Sequence, residues 1–337
     1  MIREAIEKVV QRISLSREEA RAAMGEIMDG QATPAQIASL ITALRMKGET
    51  VEEIVGFAQA MRERSVRISP RVDHLLDTCG TGGDRLNTFN ISTTAAFVIA
   101  GSGVHVAKHG NRSVSSRCGS ADLLEALQIP LDADPASVER CIEEERIGFL
   151  FAPRFHLAMK HALGPRREIG IRTVFNILGP LTNPAGAQYQ ILGVADPSLV
   201  EVMAECLLEL GARRVMVVHG LDGMDELSIC APTKVAEVDQ GTIRTYTLDP
   251  GEIGLSHSDL TAISGGTPEE NARIALSILQ GEHGPRRDAV VLNAAAGLYI
   301  SGHASDLREG VVLACESIDS GAAYDRLVAL RGRLASI

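Results

Sequence analysis

Apolar residues recur at helical spacing through the first seventy positions and then switch to short, compact runs, and that change divides the chain. Within residues 1–70, Ile37, Leu40, Ile41 and Leu44 fall on one stripe, the period by which a helix buries a single face. Three capping boxes open helices here: Ser16 with Glu19, Thr33 with Gln36 (Pro34 taking the first helical position), and Thr50 with Glu53. Each box satisfies amides that a helix start leaves free. Gly48 is a matching stop. No residue set in this unit has catalytic character, so its expected work is packing and the pairing of subunits.

From residue 72 onward strand-like and helix-like segments alternate, the mark of a mostly parallel sheet covered by helices. Strands are expected at 72–78, 104–108, 147–151, 189–194, 214–219 and 288–292, and helices at 92–101, 120–127, 135–145, 197–210, 268–280 and 305–318. Residues 233–248 alternate around Gln240-Gly241 and predict an antiparallel hairpin on the sheet edge. Prolines 153, 165, 180 and 184 interrupt the chain repeatedly, so that stretch reads as a crossing whose short helices pack back on the N-terminal unit. The expected fold class is α/β. A small all-helical domain over 1–70, joined by helices from about 155–180, precedes a larger domain over 71–337, with the active site in the cleft between them.

Composition narrows the function. The chain has 337 residues and a formal net charge of −10, which argues against a basic nucleic-acid-binding face. With 3% aromatics and no Trp there is no base-stacking platform. No segment approaches the roughly 18–20 apolar residues of a membrane span. The amphipathic, acid-bearing start (M-I-R-E-A-I-E-K-V-V) does not resemble a signal or transit peptide. Six scattered cysteines without a C-x-x-C suggest neither zinc nor a disulfide framework, and a reducing cytoplasm is the expected location.

The chemistry concentrates in residues 77–111. Gly80, Gly82 and Gly83 follow a strand-like run and let the backbone approach a ligand closely. Asn90, Ser92 and Thr93 then lead into a helix, whose free amides and hydroxyls suit an anion. A second strand end delivers Lys108, His109, Asn111 and Arg112. Glycines, hydroxyls and cations at two successive strand ends suit a phosphorylated sugar. No Gly-Lys-Ser/Thr follows the turn, and Asp84 spoils a dinucleotide fingerprint. Each piece also has an ordinary structural reading: a Gly-rich turn, a solvated cationic loop, a satisfied histidine, a capping Asp84. Further on, Asp225-Glu226 follow a strand-like run. Adjacent carboxylates there suit Mg²⁺, or simply a solvated loop.

The strings GTGGD (80–84), NIST (90–93), KHGNRSVSS (108–116), RTVFNILGPLTNP (172–184) and DELS (225–228) resemble those of the anthranilate phosphoribosyltransferase family, in order along nearly the whole chain. The resemblance implies transfer of the 5-phosphoribosyl group of phosphoribosyl pyrophosphate (PRPP) to the amine of anthranilate. It implies donor contacts at Gly80, Gly82, Gly83, Asp84, Thr88, Asn90, Ser92, Thr93, Lys108 and Ser120, with Asp84 near the ribose or a metal rather than a phosphate. It assigns anthranilate contacts to Gly80, His109, Asn111, His156, Arg166 and Pro180, with the Arg166 fork on the carboxylate. Two Mg²⁺ ions at Ser92, Asp225 and Glu226 are implied, as is a homodimer through the N-terminal helices. Neither a nucleic-acid nor a membrane partner is expected, and no covalent or strong acid–base residue is assigned. The rivals are a pyrimidine nucleoside phosphorylase, against which Asn111 and the acid pair argue, and a nucleic-acid-binding paralogue, against which the acidity argues.

Overall fold

The computed structural model describes residues 1–113 and 117–335. The N-terminal unit is four helices, α1 (Ile2–Val10), α2 (Arg17–Met28), α3 (Pro34–Lys47) and α4 (Val51–Glu63). All three capping boxes form. In the third, Thr50 Oγ1 accepts from Glu53 N at 3.3 Å while Glu53 Oε2 accepts from Thr50 N at 2.8 Å. Glu53 is fully buried, and its carboxylate also accepts from Leu15 N at 2.9 Å and pairs with Lys47 at 2.9 Å. A buried charge persists only when so matched, and here it pins the α1–α2 loop to α4.

The sheet has seven strands: β1 (Leu75–Gly80), β2 (His105–Gly110), β3 (Ile147–Phe151), β4 (Tyr189–Gly193), β5 (Arg214–Gly220), β6 (Thr233–Asp239) and β7 (Thr242–Leu248). Their order is β3-β2-β1-β4-β5-β6-β7. The first five run parallel, and β6–β7 is the expected antiparallel hairpin. Gln240 (φ 47°) and Gly241 (φ 82°) supply the paired left-handed conformations of its tight turn. After β1 comes α5 (Ile91–Gly101), and between β2 and β3 lie α6 (Ser120–Ala126) and α7 (Pro135–Glu145). The crossing holds α8 (Ala152–Phe155), α9 (Lys160–Ile169) and α10 (Phe175–Leu178). Then follow α11 (Leu199–Glu209), α12 (Pro268–Leu279), α13 (Pro285–Ile300), α14 (Leu307–Asp319) and α15 (Ala322–Ala335).

Along β4, β5 and β6 strand alternation divides the residues between two cores, while Leu75, Ala107 and Leu150 of β1–β3 join a third, smaller one. Ile191, Met216, Val218 and Val235 pack with α5, α13 and α15 on one face. Leu192, Val215, Val217, Ala236 and Val238 pack on the other with α11, α2–α4, and with Ala162, Phe175 and Leu178 of the crossing.

The expected strand at 288–292 is wrong: those residues lie inside α13. Val290, Val291 and Leu292 are fully buried, and so are Ala294–Ala296 beyond them. A short apolar run cannot be told from a helix that is buried all round. The Pro285 start and the alanines that follow favour helix.

Candidate functional site

Every parallel strand but β3 ends on glycine, and two of these ends make a seat. Gly80 and Gly193 are register partners on β1 and β4. A Cβ on Gly193 would lie 1.6 Å from the Asp225 carbonyl oxygen, and one on Gly80 would lie 2.7 Å from Asp225 Oδ2. Only two glycines side by side let the loop after β5 settle onto the sheet edge. Asn293 of α13 locks that loop from behind: its Oδ1 accepts from Leu227 N at 3.1 Å, and its Nδ2 donates to Leu227 O at 3.0 Å.

The acid pair is thereby aimed at two backbone anion sites. Asp225 Oδ2 accepts from Gly82 N at 2.8 Å, and Glu226 Oε1 accepts from Ser92 N at 3.1 Å in the first turn of α5. These are amides of a glycine turn and of a helix start, where positive partial charge gathers. Burial raises both carboxyls, Glu226 to about 7, with repulsion from Asp84 adding to it; for Asp225 the charges of Asp84 and Glu226 add to burial. Among the described residues no three-residue preformed metal cluster occurs. The donor set is nonetheless hard oxygen with surplus negative charge, which fits a magnesium that keeps waters and shares substrate oxygens. Asp222 does not join it, since Asp222 accepts from Ser228 Oγ at 2.6 Å and from Met224 N at 3.2 Å in its own turn.

Most of the donor residues named from the sequence come together around this seat. Lys108 is buried and donates to the Thr78 carbonyl, with Ser92 Oγ 3.5 Å away; burial lowers its pKa against the pull of Asp77, Cys79 and Glu226. Asn90 does not cap α5 with its side chain. Its Nδ2 donates to Cys118 O at 3.1 Å, and its Oδ1 accepts from Asn271 at 2.8 Å. Thr93 is buried in the first turn of α5, and Thr88 bridges to Ser264. Asp84 Oδ1 accepts from Leu86 N at 3.2 Å within the turn. Ser120 Oγ donates to Asn111 O at 3.2 Å, closing the loop after β2. Arg112 is spent on Asp122 and Glu125, both at 2.9 Å. Residues 114–116 of the K-H-G-N-R-S-V-S-S string lie outside the described residues.

Of the acceptor-side residues, the structure brings His109 of β2 against His156 and Gly179 of the crossing, and sets Arg166 on Phe175. The His109 and His156 rings lie 5.1 Å apart, and both Nε2 atoms are buried without a partner among the described residues. His109 Nδ1 lies 3.2 Å from Gly179 O, so it carries the proton and Nε2 keeps a lone pair. Burial pushes His109 down to about 3, helped by His156, and pushes His156 down to about 4, so both rings are neutral near pH 7. The guanidinium of Arg166 lies 5.0 Å over the Phe175 ring and forms no ion pair among the described residues, with Glu168 or any other acid. One turn of α10 separates Phe175 from Gly179 and the buried Pro180. Asn111 is exposed.

Several supporting residues escaped the sequence reading. Asp77 and Asn183 hold the carboxyl end of β2: Asp77 accepts from His109 N at 3.0 Å and from Asn183 Nδ2 at 2.8 Å. Asn271 holds Asn90, Asn293 holds the acid loop, and Arg172 reaches the glycine turn, donating to Gly82 O at 2.8 Å. For Asn183, Asn271 and Asn293 the only available signal was that asparagine is seldom buried without bonds to make. A separate cavity of about 430 Å³ near the hairpin edge is lined by Arg244, Tyr246, Tyr299 and Arg308 and shares no residue with this site.

Residues 3–65 match the helical bundle domain of a glycosyl transferase family, and residues 72–324 match its a/b domain. The anthranilate phosphoribosyltransferase of Pelotomaculum thermopropionicum is 58% identical over 327 residues, 97% of this chain and 95% of its own length. The crystal structure of the Thermus thermophilus anthranilate phosphoribosyltransferase superposes with a TM-score of 0.94 at 48% identity, covering 98% of this chain and 99% of that one. The Saccharomyces cerevisiae enzyme in complex with PRPP and Mg superposes at 0.92 with 30% identity, covering 100% and 98%. The chain therefore belongs to the anthranilate phosphoribosyltransferase family of glycosyl transferases.

Proposed function

We infer that the chain transfers the 5-phosphoribosyl group of PRPP to the amine of anthranilate and releases pyrophosphate, a pentosyl transfer serving tryptophan biosynthesis. The observation that carries this reading is the pair of backbone anion sites held by Asp225 and Glu226. A diphosphate would satisfy the same amides and free Asp225 and Glu226 to hold its metal. Asp225, Glu226 and Ser92 would hold Mg²⁺, as two ions, and the metal would stabilise charge on the departing pyrophosphate. Gly80, Gly82, Gly83, Asp84, Thr88, Asn90, Ser92, Thr93, Lys108 and Ser120 take the donor. Gly80, His109, Asn111, His156, Arg166 and Pro180 take the acceptor, in the cleft between the helical unit and the sheet. The unpaired guanidinium of Arg166 suits the carboxylate of anthranilate.

The amine lone pair attacks C1′ as the bond from C1′ to the pyrophosphate oxygen breaks, and the nitrogen then gives one proton to solvent water. The leaving group is stable and the nucleophile is neutral, so alignment and charge stabilisation carry the rate. Neutral His109 offers a lone pair to the amine N–H without adding a second positive charge. A homodimer through the helical unit is supported by exposed Val10, Ile13, Met46, Leu157 and Leu163 on or beside α1, α3 and α9. A cytoplasmic site is supported by six scattered cysteines without a C-x-x-C. No helix among the described residues is long and apolar enough to cross a membrane. Purified protein given anthranilate, PRPP and Mg²⁺ should release pyrophosphate as anthranilate is consumed; absence of release overturns the reading.

A further inference from the structure

Arg172 stands on the crossing just after α9 and reaches across to the glycine turn. Its Nη2 donates to Gly82 O at 2.8 Å. A Cβ on Gly83 would lie 1.5 Å from its Nη1, so the guanidinium occupies the space over that glycine. The residue is exposed and forms no ion pair with an acid among the described residues. An unpaired guanidinium is therefore parked on a glycine turn in a protein with a net charge of −10, close to the amide that Asp225 covers.

We propose that Arg172 is a specificity-determining residue for the donor, binding the diphosphate group that becomes the released pyrophosphate. The inference rests on the reading of the glycine turn as the diphosphate site. A diphosphate on the Gly82 amide comes within reach of the guanidinium, whose planar fork meets two phosphate oxygens at once. Because Arg172 belongs to the segment that packs on the helical unit, the same contact ties that unit to the bound donor.

The test measures magnesium pyrophosphate binding by calorimetry, the inhibition constant of pyrophosphate, and KM for each substrate, in the wild type, Arg172→Gln, Arg172→Lys and Arg172→Ala. Arg172→Gln should weaken pyrophosphate binding and raise KM for PRPP by about 10- to 100-fold, the usual value of a hydrogen bond to a charged group. KM for anthranilate and the melting temperature should stay near wild type. Arg172→Lys should recover part of the loss, and added guanidinium ion should rescue Arg172→Ala. Pyrophosphate binding within about twofold of wild type in Arg172→Gln overturns the inference while leaving the function intact. Equal rises in both KM values overturn it as well, by making the residue merely structural. A wild-type chain that releases no pyrophosphate from PRPP and anthranilate defeats the functional reading itself.

Discussion

Replacing Gly193 by Ala adds one methyl group where the Asp225 backbone already sits. The new Cβ would be 1.6 Å from Asp225 O and 2.4 Å from its carbonyl carbon. Carbon and oxygen do not approach below about 3.0 Å, so the acid loop must retreat by about 1.4 Å or β4 must shift by as much. Neither moves freely: Gly193 is paired in the sheet with Gly80 and Val218, and Leu227 is clamped by Asn293. Overpacking of this kind costs about 1–3 kcal/mol of stability. A displacement of about 1 Å in groups that align substrate costs about 100-fold in turnover. Urea denaturation and steady-state kinetics over a magnesium titration separate the two effects. The expected result is a folded protein with kcat about 100-fold down and a raised Mg²⁺ requirement. Turnover within about threefold of wild type, with an unchanged magnesium requirement, would refute the argument that the paired glycines seat the acid loop.

Other substitutions probe the remaining supports. Arg166→Ala should raise KM for anthranilate far more than KM for PRPP, and equal effects in a steady-state assay would remove its assigned contact. Asn293→Leu leaves the buried Leu227 N–H and C=O unpaired and should cost about 2–5 kcal/mol in urea unfolding; a loss below about 1 kcal/mol would contradict the clamp. The raised carboxyls set a pH dependence without metal. Folded Glu226 holds its proton up to about 7, whereas the unfolded chain releases it at about 4.3. The unfolded state thus binds fewer protons in between, and stability falls as pH rises through that window. Thermal melts in EDTA should show this decline, and Mg²⁺ with pyrophosphate should flatten it; a rise in stability between about pH 5 and pH 7 would reverse the sign.

Local chemistry made the N-terminal helices readable, because a capping box is a four-residue signal and Ser16, Thr33 and Thr50 each completed one. The parallel strands were readable as runs, although β1 begins at Leu75 rather than residue 72, since Val72 N bonds back to Pro70 O in a turn. The run at 288–292 misled because burial on every side erases the helical period. The motif residues around Gly82, Ser92 and Asp225 stood out by type. What sequence could not supply was contact across distance: the Gly80–Gly193 pairing joins residues more than a hundred positions apart, Arg172 crosses 90 positions to Gly82, and Asn293 crosses 66 to Leu227. His109 and His156 could be named, but only packing makes them neutral.

Asp225 and Glu226 hold the amides of Gly82 and Ser92, and the proposed role of those two sites is to take the donor with its metal. Calorimetry of PRPP binding, with and without Mg²⁺, in wild type and in Asp225→Asn/Glu226→Gln tests this directly. The wild type should bind PRPP only when Mg²⁺ is present, while the double variant, lacking the repelling charges, should bind it equally with or without the metal and fail to turn over. A double variant that keeps the magnesium dependence and the turnover of the wild type would contradict it.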